Sequence, residues 1–166
     1  RHLGNKRAPR GPMPALVKAF ELIGTAQVAK SAMEAQRDFL IINEDDTITF
    51  NKERVLFDAK QRALGMVDGY QPPEEETFRL PGATGRAAID MALHDFRMKG
   101  MASECDVHVG REVAMVLTGG DTDVTEELTE RDLLKLEQKH FVALTKQPKT
   151  LARLEHMLST NKPLRN

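Results

Sequence analysis

Five histidines and one cysteine are the side chains of this 166-residue chain best suited to proton transfer or nucleophilic attack. A histidine works as a general acid or base when a carboxylate orients its ring. Four of the five fall in the second half: His94, His108, His140 and His156. His140 stands three residues after Glu137, and His156 three after Arg153. Neighbours at that spacing share a helix face, and such a histidine is more often packed or solvated than catalytic. Cys105 has no second cysteine to pair with, so it makes no internal disulfide and fits a reducing compartment. One cysteine and scattered histidines do not build a zinc site. Asn43-Glu44-Asp45-Asp46 gathers oxygen ligands of the kind calcium takes. It lacks the further ligands and the turn glycine of a calcium loop, so it reads as a solvated turn. Gly82-Ala83-Thr84-Gly85 lacks both the preceding strand and the spacing of a dinucleotide fingerprint. Glu126-Glu127 with Glu130 reads as an acidic helix start, favoured by the helix dipole. No residue is therefore assigned a catalytic, cofactor-binding or metal-ligating role.

Composition narrows the partners. The 24 basic and 25 acidic residues leave a net charge of −1, which argues against nucleic acid as the main ligand. Seven Phe, one Tyr and no Trp are too few for single-strand stacking platforms. No apolar run approaches the roughly 18 residues of a membrane span. A cytoplasmic chain of one domain, or two small ones, is the expectation. The chain opens on Arg1 rather than Met, and is expected to be a C-terminal piece of something longer.

The elements that must position these groups are mainly α: a bundle of short helices, with room for a small β element near residues 40–50. Residues 1–12 carry Arg1, Lys6, Arg7 and Arg10 among Gly and Pro, and are expected to be a flexible basic arm. Residues 13–68 form a first helical segment. Leu16, Val17, Phe20 and Ile23 share a face over 13–23, with Gly24 as the stop. Ser31 and Glu34 have capping-box spacing for a helix to about Asp38. Phe39-Leu40-Ile41-Ile42 and Thr47-Ile48-Thr49-Phe50 flank the acidic turn and could be extended. Asn51 caps a helix to about Asp68, with Val55, Leu56, Ala59, Ala63 and Val67 on one face. Residues 69–84 are a linker, extended by Pro72-Pro73.

Residues 85–166 form a C-terminal helical bundle. Ala88, Met91, Ala92 and Phe96 mark a helix over 85–99, ended by Gly100. Ser103 and Asp106 cap the next, with Val109, Val113, Val116 and Leu117 as its stripe and Gly119-Gly120-Asp121 as its end. Thr129 and Asp132 start another, and Pro148 opens the last, through Leu158.

Two sets of residues carry a resemblance. Phe20-Glu21-Leu22-Ile23-Gly24-Thr25-Ala26 followed by Ser31-Ala32-Met33-Glu34-Ala35 resembles the tail of the enoyl-CoA hydratase (crotonase) family. Ala59-Lys60-Gln61-Arg62-Ala63-Leu64, Gly69-Tyr70-Gln71-Pro72-Pro73, Gly119-Gly120-Asp121, Leu133-Leu134-Lys135-Leu136-Glu137, Lys149-Thr150 and the ending Lys162-Pro163-Leu164-Arg165-Asn166 occur together and in order. That combination, over residues 13–166, is similar to the C-terminal region of bacterial β-oxidation proteins that join a 3-hydroxyacyl-CoA dehydrogenase to an enoyl-CoA hydratase. Asp38-Phe39-Leu40 departs from the usual Gly-Leu-Val, and Asn161 from the usual Gly before the ending.

The resemblance implies that the oxyanion hole and carboxylates of the hydratase lie upstream, as do the NAD site and proton-transfer pair of the dehydrogenase. NAD and acyl-CoA are then ligands of the parent, not of this segment. Its expected partners are the upstream domains of the same chain and further copies of itself. A stand-alone helical interaction module is the alternative.

Overall fold

In a computed structural model, residues 13–39, 41–42 and 46–166 are described. The basic arm of residues 1–12 and Asn43-Glu44-Asp45 lie outside them. Seven helices dominate: α1 (Met13–Gly24), α2 (Ala32–Glu34, continued by a wider turn over Ala35–Phe39), α3 (Val55–Gly65), α4 (Gly82–Met98), α5 (Glu104–Leu117), α6 (Glu130–Thr145) and α7 (Pro148–Thr160). The fold is mainly α, as the periodicity predicts. The β element is not near residues 40–50, where the described residues pair with no strand. It is the two-residue ladder of β1 (Thr77–Phe78) and β2 (Leu128–Thr129), antiparallel with Phe78 opposite Leu128. Among the described residues no helix is long and apolar enough to cross a membrane.

The chain divides into two compact units, one of residues 13–27 with Glu76–Asn166 and one of Val28–Glu75. In the first, α1, α4 and α5 enclose a core of Leu16, Phe20, Ile89, Leu93, Val107 and Ala114. The buried stripes differ from those expected. On α4, Met91 is 75% exposed while Ile89 and Leu93 are buried. Two residues on a helix are about 200° apart, so Met91 faces away from that pair. On α5 the expected valines are only half-buried, though Val113 and Leu117 pack against the core, and the buried positions are Val107, Gly110 and Ala114 beside them. Small residues let a neighbour approach closely: a Cβ on Gly110 would sit 2.7 Å from Cδ2 of Leu93. Helix α6 packs on α5, and α7 on α6.

Helix ends in this unit follow their local chemistry closely. Ser103 and Asp106 form a complete capping box, as do Thr129 and Asp132. Pro148 opens α7, and Asn161 closes it at φ 54° with its N–H on the Met157 carbonyl at 2.8 Å. After α5 the chain turns through Gly119 (φ 83°) and Gly120 (φ 70°). The Arg86 guanidinium donates to the Gly120 carbonyl and lies 3.2 Å from an Asp121 carboxylate oxygen. That bond satisfies one of the free carbonyls past the helix end.

The caps predict an acid response. Hydrogen bonds from the Thr129 hydroxyl, then from Lys135 and the Thr129 N–H, pull the Asp132 carboxyl from 3.8 to about 2. Burial pushes the Asp106 carboxyl up. The bonds from the Ser103 N–H, Arg153 and the Ser103 hydroxyl, with the charge of Arg153, outweigh that and lower it. Folded values below the unfolded ones mean that the ionised caps stabilise the fold fully above about pH 4. That stabilisation is lost as pH falls through the folded values, towards about 2 for Asp132. Amide exchange at the first turns of α5 and α6, followed from pH 5 to 2, should accelerate before the rest of the core. Asp132→Asn should flatten the response at α6 alone.

In the second unit, the Ser31 hydroxyl accepts from the Glu34 N–H at 3.1 Å and the Glu34 carboxylate accepts from the Lys30 N–H at 2.6 Å. Asn51 caps a single turn over Lys52–Arg54 that leads into α3. Helix α3 buries none of its residues.

Candidate functional site

Among the described residues, histidine placement bears on whether proton-transfer machinery is present. His140 does not work with Glu137. Its ring faces α5, where Nδ1 lies 2.6 Å from an oxygen of Glu112. With Glu112 ionised, Nδ1 carries the proton and donates. Sequence spacing could not find this pair, because 28 residues and a change of helix separate its members. The side chains are 11% and 21% exposed, and His140 Nε2 is buried with no hydrogen-bond partner among the described residues. A general base must present its free nitrogen to substrate. The geometry instead makes Glu112 and His140 a polar clamp between α5 and α6.

Other candidates are also placed apart from the roles that sequence spacing suggests. Arg153 does not serve His156. Its guanidinium donates to Asp106 at 2.7 Å, to the Ser103 hydroxyl at 3.2 Å and to the Asn166 side-chain oxygen at 2.7 Å. Asn166 in turn donates to the Lys149 carbonyl at 3.2 Å, so Arg153 fastens α7 and the final residue to the cap of α5. Cys105 is buried, whereas His94 and His108 are exposed. Glu126 and Glu127 do not start the helix: α6 begins at Glu130, and its first-turn acids are Glu130 and Asp132. Glu127 pairs with Arg79 at 2.7 Å, and Glu126 accepts from Thr122 at 2.7 Å. Gly82 and Gly85 are buried packing positions on α4. Among the described residues no three His, Cys, Asp or Glu side chains gather to hold a metal ion.

Apolar surface is the other feature with functional content. On and beside α3, Leu56 is 83% exposed and Phe50 92%, with Val55, Phe57, Leu64 and Val67 also exposed. An isolated helix of 11 residues is marginal in water, and stays folded chiefly by burying one face. Among the described residues nothing covers this apolar surface.

No family model matches the chain, and no solved structure matches it. Among curated proteins it is similar to a probable 3-hydroxyacyl-CoA dehydrogenase of Bacillus subtilis (strain 168), with 38% identity over 166 residues. The match takes in 99% of this chain and 21% of that protein, so the chain spans about a fifth of the length of the relative it matches.

Proposed function

We propose that this chain is a noncatalytic, C-terminal helical region of a fatty-acid β-oxidation enzyme that combines 3-hydroxyacyl-CoA dehydrogenase and enoyl-CoA hydratase activities. One observation carries the proposal: 38% identity to a probable 3-hydroxyacyl-CoA dehydrogenase, end to end along this chain yet over only 21% of that protein. The uncovered face of α3 supports a packing role. That face would meet the upstream domains or a second copy, joining domains or completing the acyl-CoA pocket. NAD and acyl-CoA would be bound by the upstream part of a cytoplasmic enzyme, and proton transfer would happen there. The buried Glu112–His140 pair is consistent with this, since it offers no free nitrogen to a substrate.

The experiment is turnover. Pure 166-residue chain should neither hydrate crotonyl-CoA nor oxidise 3-hydroxybutyryl-CoA with NAD. The parent protein should do so, and deletion of this region should lower its activity or dissociate its subunits. Measurable turnover by the chain alone would place the active site here and sink the proposal. A reading frame that starts just before Arg1 would favour the stand-alone module.

A further inference from the structure

Helix α7 is held in a different way from the helices of the core. It rests on α6, and none of its 13 residues is buried. Among the described residues, none of α7 joins the core cluster or packs against it. Its half-buried residues are Thr150, Ala152, Arg153 and His156. Its leucines at 151, 154 and 158 are exposed instead. Burial of apolar area holds α1, α4 and α5 together, and α7 has little of it.

What ties α7 to α5 is polar. Arg153 donates to Asp106 and to the Ser103 hydroxyl, and Lys149 lies 3.1 Å from Glu104. Lys149 and Glu104 are both exposed, so that pair contributes little. Arg153 is 22% exposed and is the main tie. It also donates to Asn166, which donates to the Lys149 carbonyl and so returns the segment after α7 to the helix. At the start of α7, Pro148, Lys149 and Thr150 line a cavity of about 550 Å³ that Cys105 and Val107 of α5 also line. Part of the boundary between α7 and α5 is therefore open space. The Thr150 hydroxyl oxygen is buried with no hydrogen-bond partner among the described residues, a cost that release to water removes.

We infer that α7 is a latch. It swings away as a unit about Lys146-Gln147 when Arg153 lets go of Asp106, and uncovers the cavity wall at Cys105 and Val107. The core stays closed, because the mutual bonds of Ser103 and Asp106, at 2.8 and 3.2 Å, do not involve α7. Segments with few buried apolar contacts open at a lower free energy than the core. The tie is ionic, so ionic strength sets how far the latch is open. This inference does not rest on the proposed parent enzyme, since it uses only contacts within residues 103–166.

The test is native-state amide exchange of the 166-residue chain, comparing residues 152–160 of α7 with residues 109–116 of α5. The α7 amides should share one opening constant, larger than that of α5. Arg153→Gln should raise it about tenfold, the loss of one charge-assisted contact. Ile89→Val, a mild change in the core, should speed exchange in α5 about fivefold and leave α7 unchanged, because the core is intact with the latch open or closed. Raising sodium chloride from about 0.05 M to about 1 M should favour α7 opening several-fold. Labelling of Cys105 by a soluble disulfide reagent should rise with Arg153→Gln and not with Ile89→Val. A common opening constant for α7 and α5, equal acceleration of both by Ile89→Val, an α7 indifferent to Arg153→Gln or to salt, or Cys105 labelling that follows Ile89→Val would each overturn the latch.

Discussion

Gly82→Ala should destabilise the α1–α4–α5 core by about 4 kcal/mol or more, a large share of the stability of a small domain. Gly82 opens α4 at φ 51°, and a Cβ there would sit 1.7 Å from the Thr122 carbonyl oxygen and 2.8 Å from its carbon. Those are backbone atoms, so no side-chain rotation relieves the overlap. The Gly82 N–H also donates to the Thr118 carbonyl at 2.9 Å, joining the start of α4 to the end of α5. Moving Gly82 away from Thr122 breaks that bond, at about 1 kcal/mol or more for a buried group. The left-handed conformation adds roughly 1–2 kcal/mol for any residue with a Cβ, and overpacking the surroundings about 1–3 kcal/mol. Gly100→Ala is the control. Gly100 has φ 69° but nothing within 4 Å of the added carbon, so only the conformational cost remains. Urea denaturation should separate the two variants by about 2 kcal/mol or more. Equal losses would mean that Gly82 is retained for its dihedral angle alone.

The glycines show what the sequence makes legible and what it hides. A local rule reads no dinucleotide fingerprint in Gly82-Ala83-Thr84-Gly85, but could not supply the packing role of Gly82. The backbone that crowds Gly82 belongs to Thr122, forty positions later. Signals that need only neighbouring residues were legible: the two capping boxes, Pro148 at the start of α7 and left-handed Asn161 at its end. Stripes of large apolar residues were legible only in part. Gly110 and Ala114 form a close-approach surface that a search for large apolar side chains passes over. The ladder of β1 and β2 has two residues in each strand, too few to show alternation. Helix α1 contributes Leu16 and Phe20 to a core completed by α4 and α5, after the whole of Val28–Glu75 has intervened. Arg153 and Glu112 were hidden for the same reason, since their partners lie 47 and 28 residues away.

Glu112→Leu should cost about 3 kcal/mol, the usual scale for removing one member of a buried pair. The loss does not measure the worth of the pair. It comes from His140, only 9% exposed, whose Nε2 already lacks a partner among the described residues and whose Nδ1 would then lack one too. An imidazole desolvated at both nitrogens must either open a path for water or displace α6 from α5. His140→Leu should cost less, because the Glu112 side chain is 21% exposed and can turn towards solvent. Replacing both with leucine should be close to neutral, since an apolar contact needs no desolvation of charge. The double-mutant cycle should therefore give a coupling above about 1 kcal/mol between positions 112 and 140. Additive losses in urea denaturation would show that the two side chains act separately and would defeat the clamp assignment. The same cycle bears on function. A clamp predicts that the leucine pair keeps helix content and, in the proposed parent enzyme, keeps turnover. Proton transfer through His140 predicts that turnover vanishes while the fold survives. The clamp assignment expects the first outcome, since Nε2 is buried and, among the described residues, without a hydrogen-bond partner.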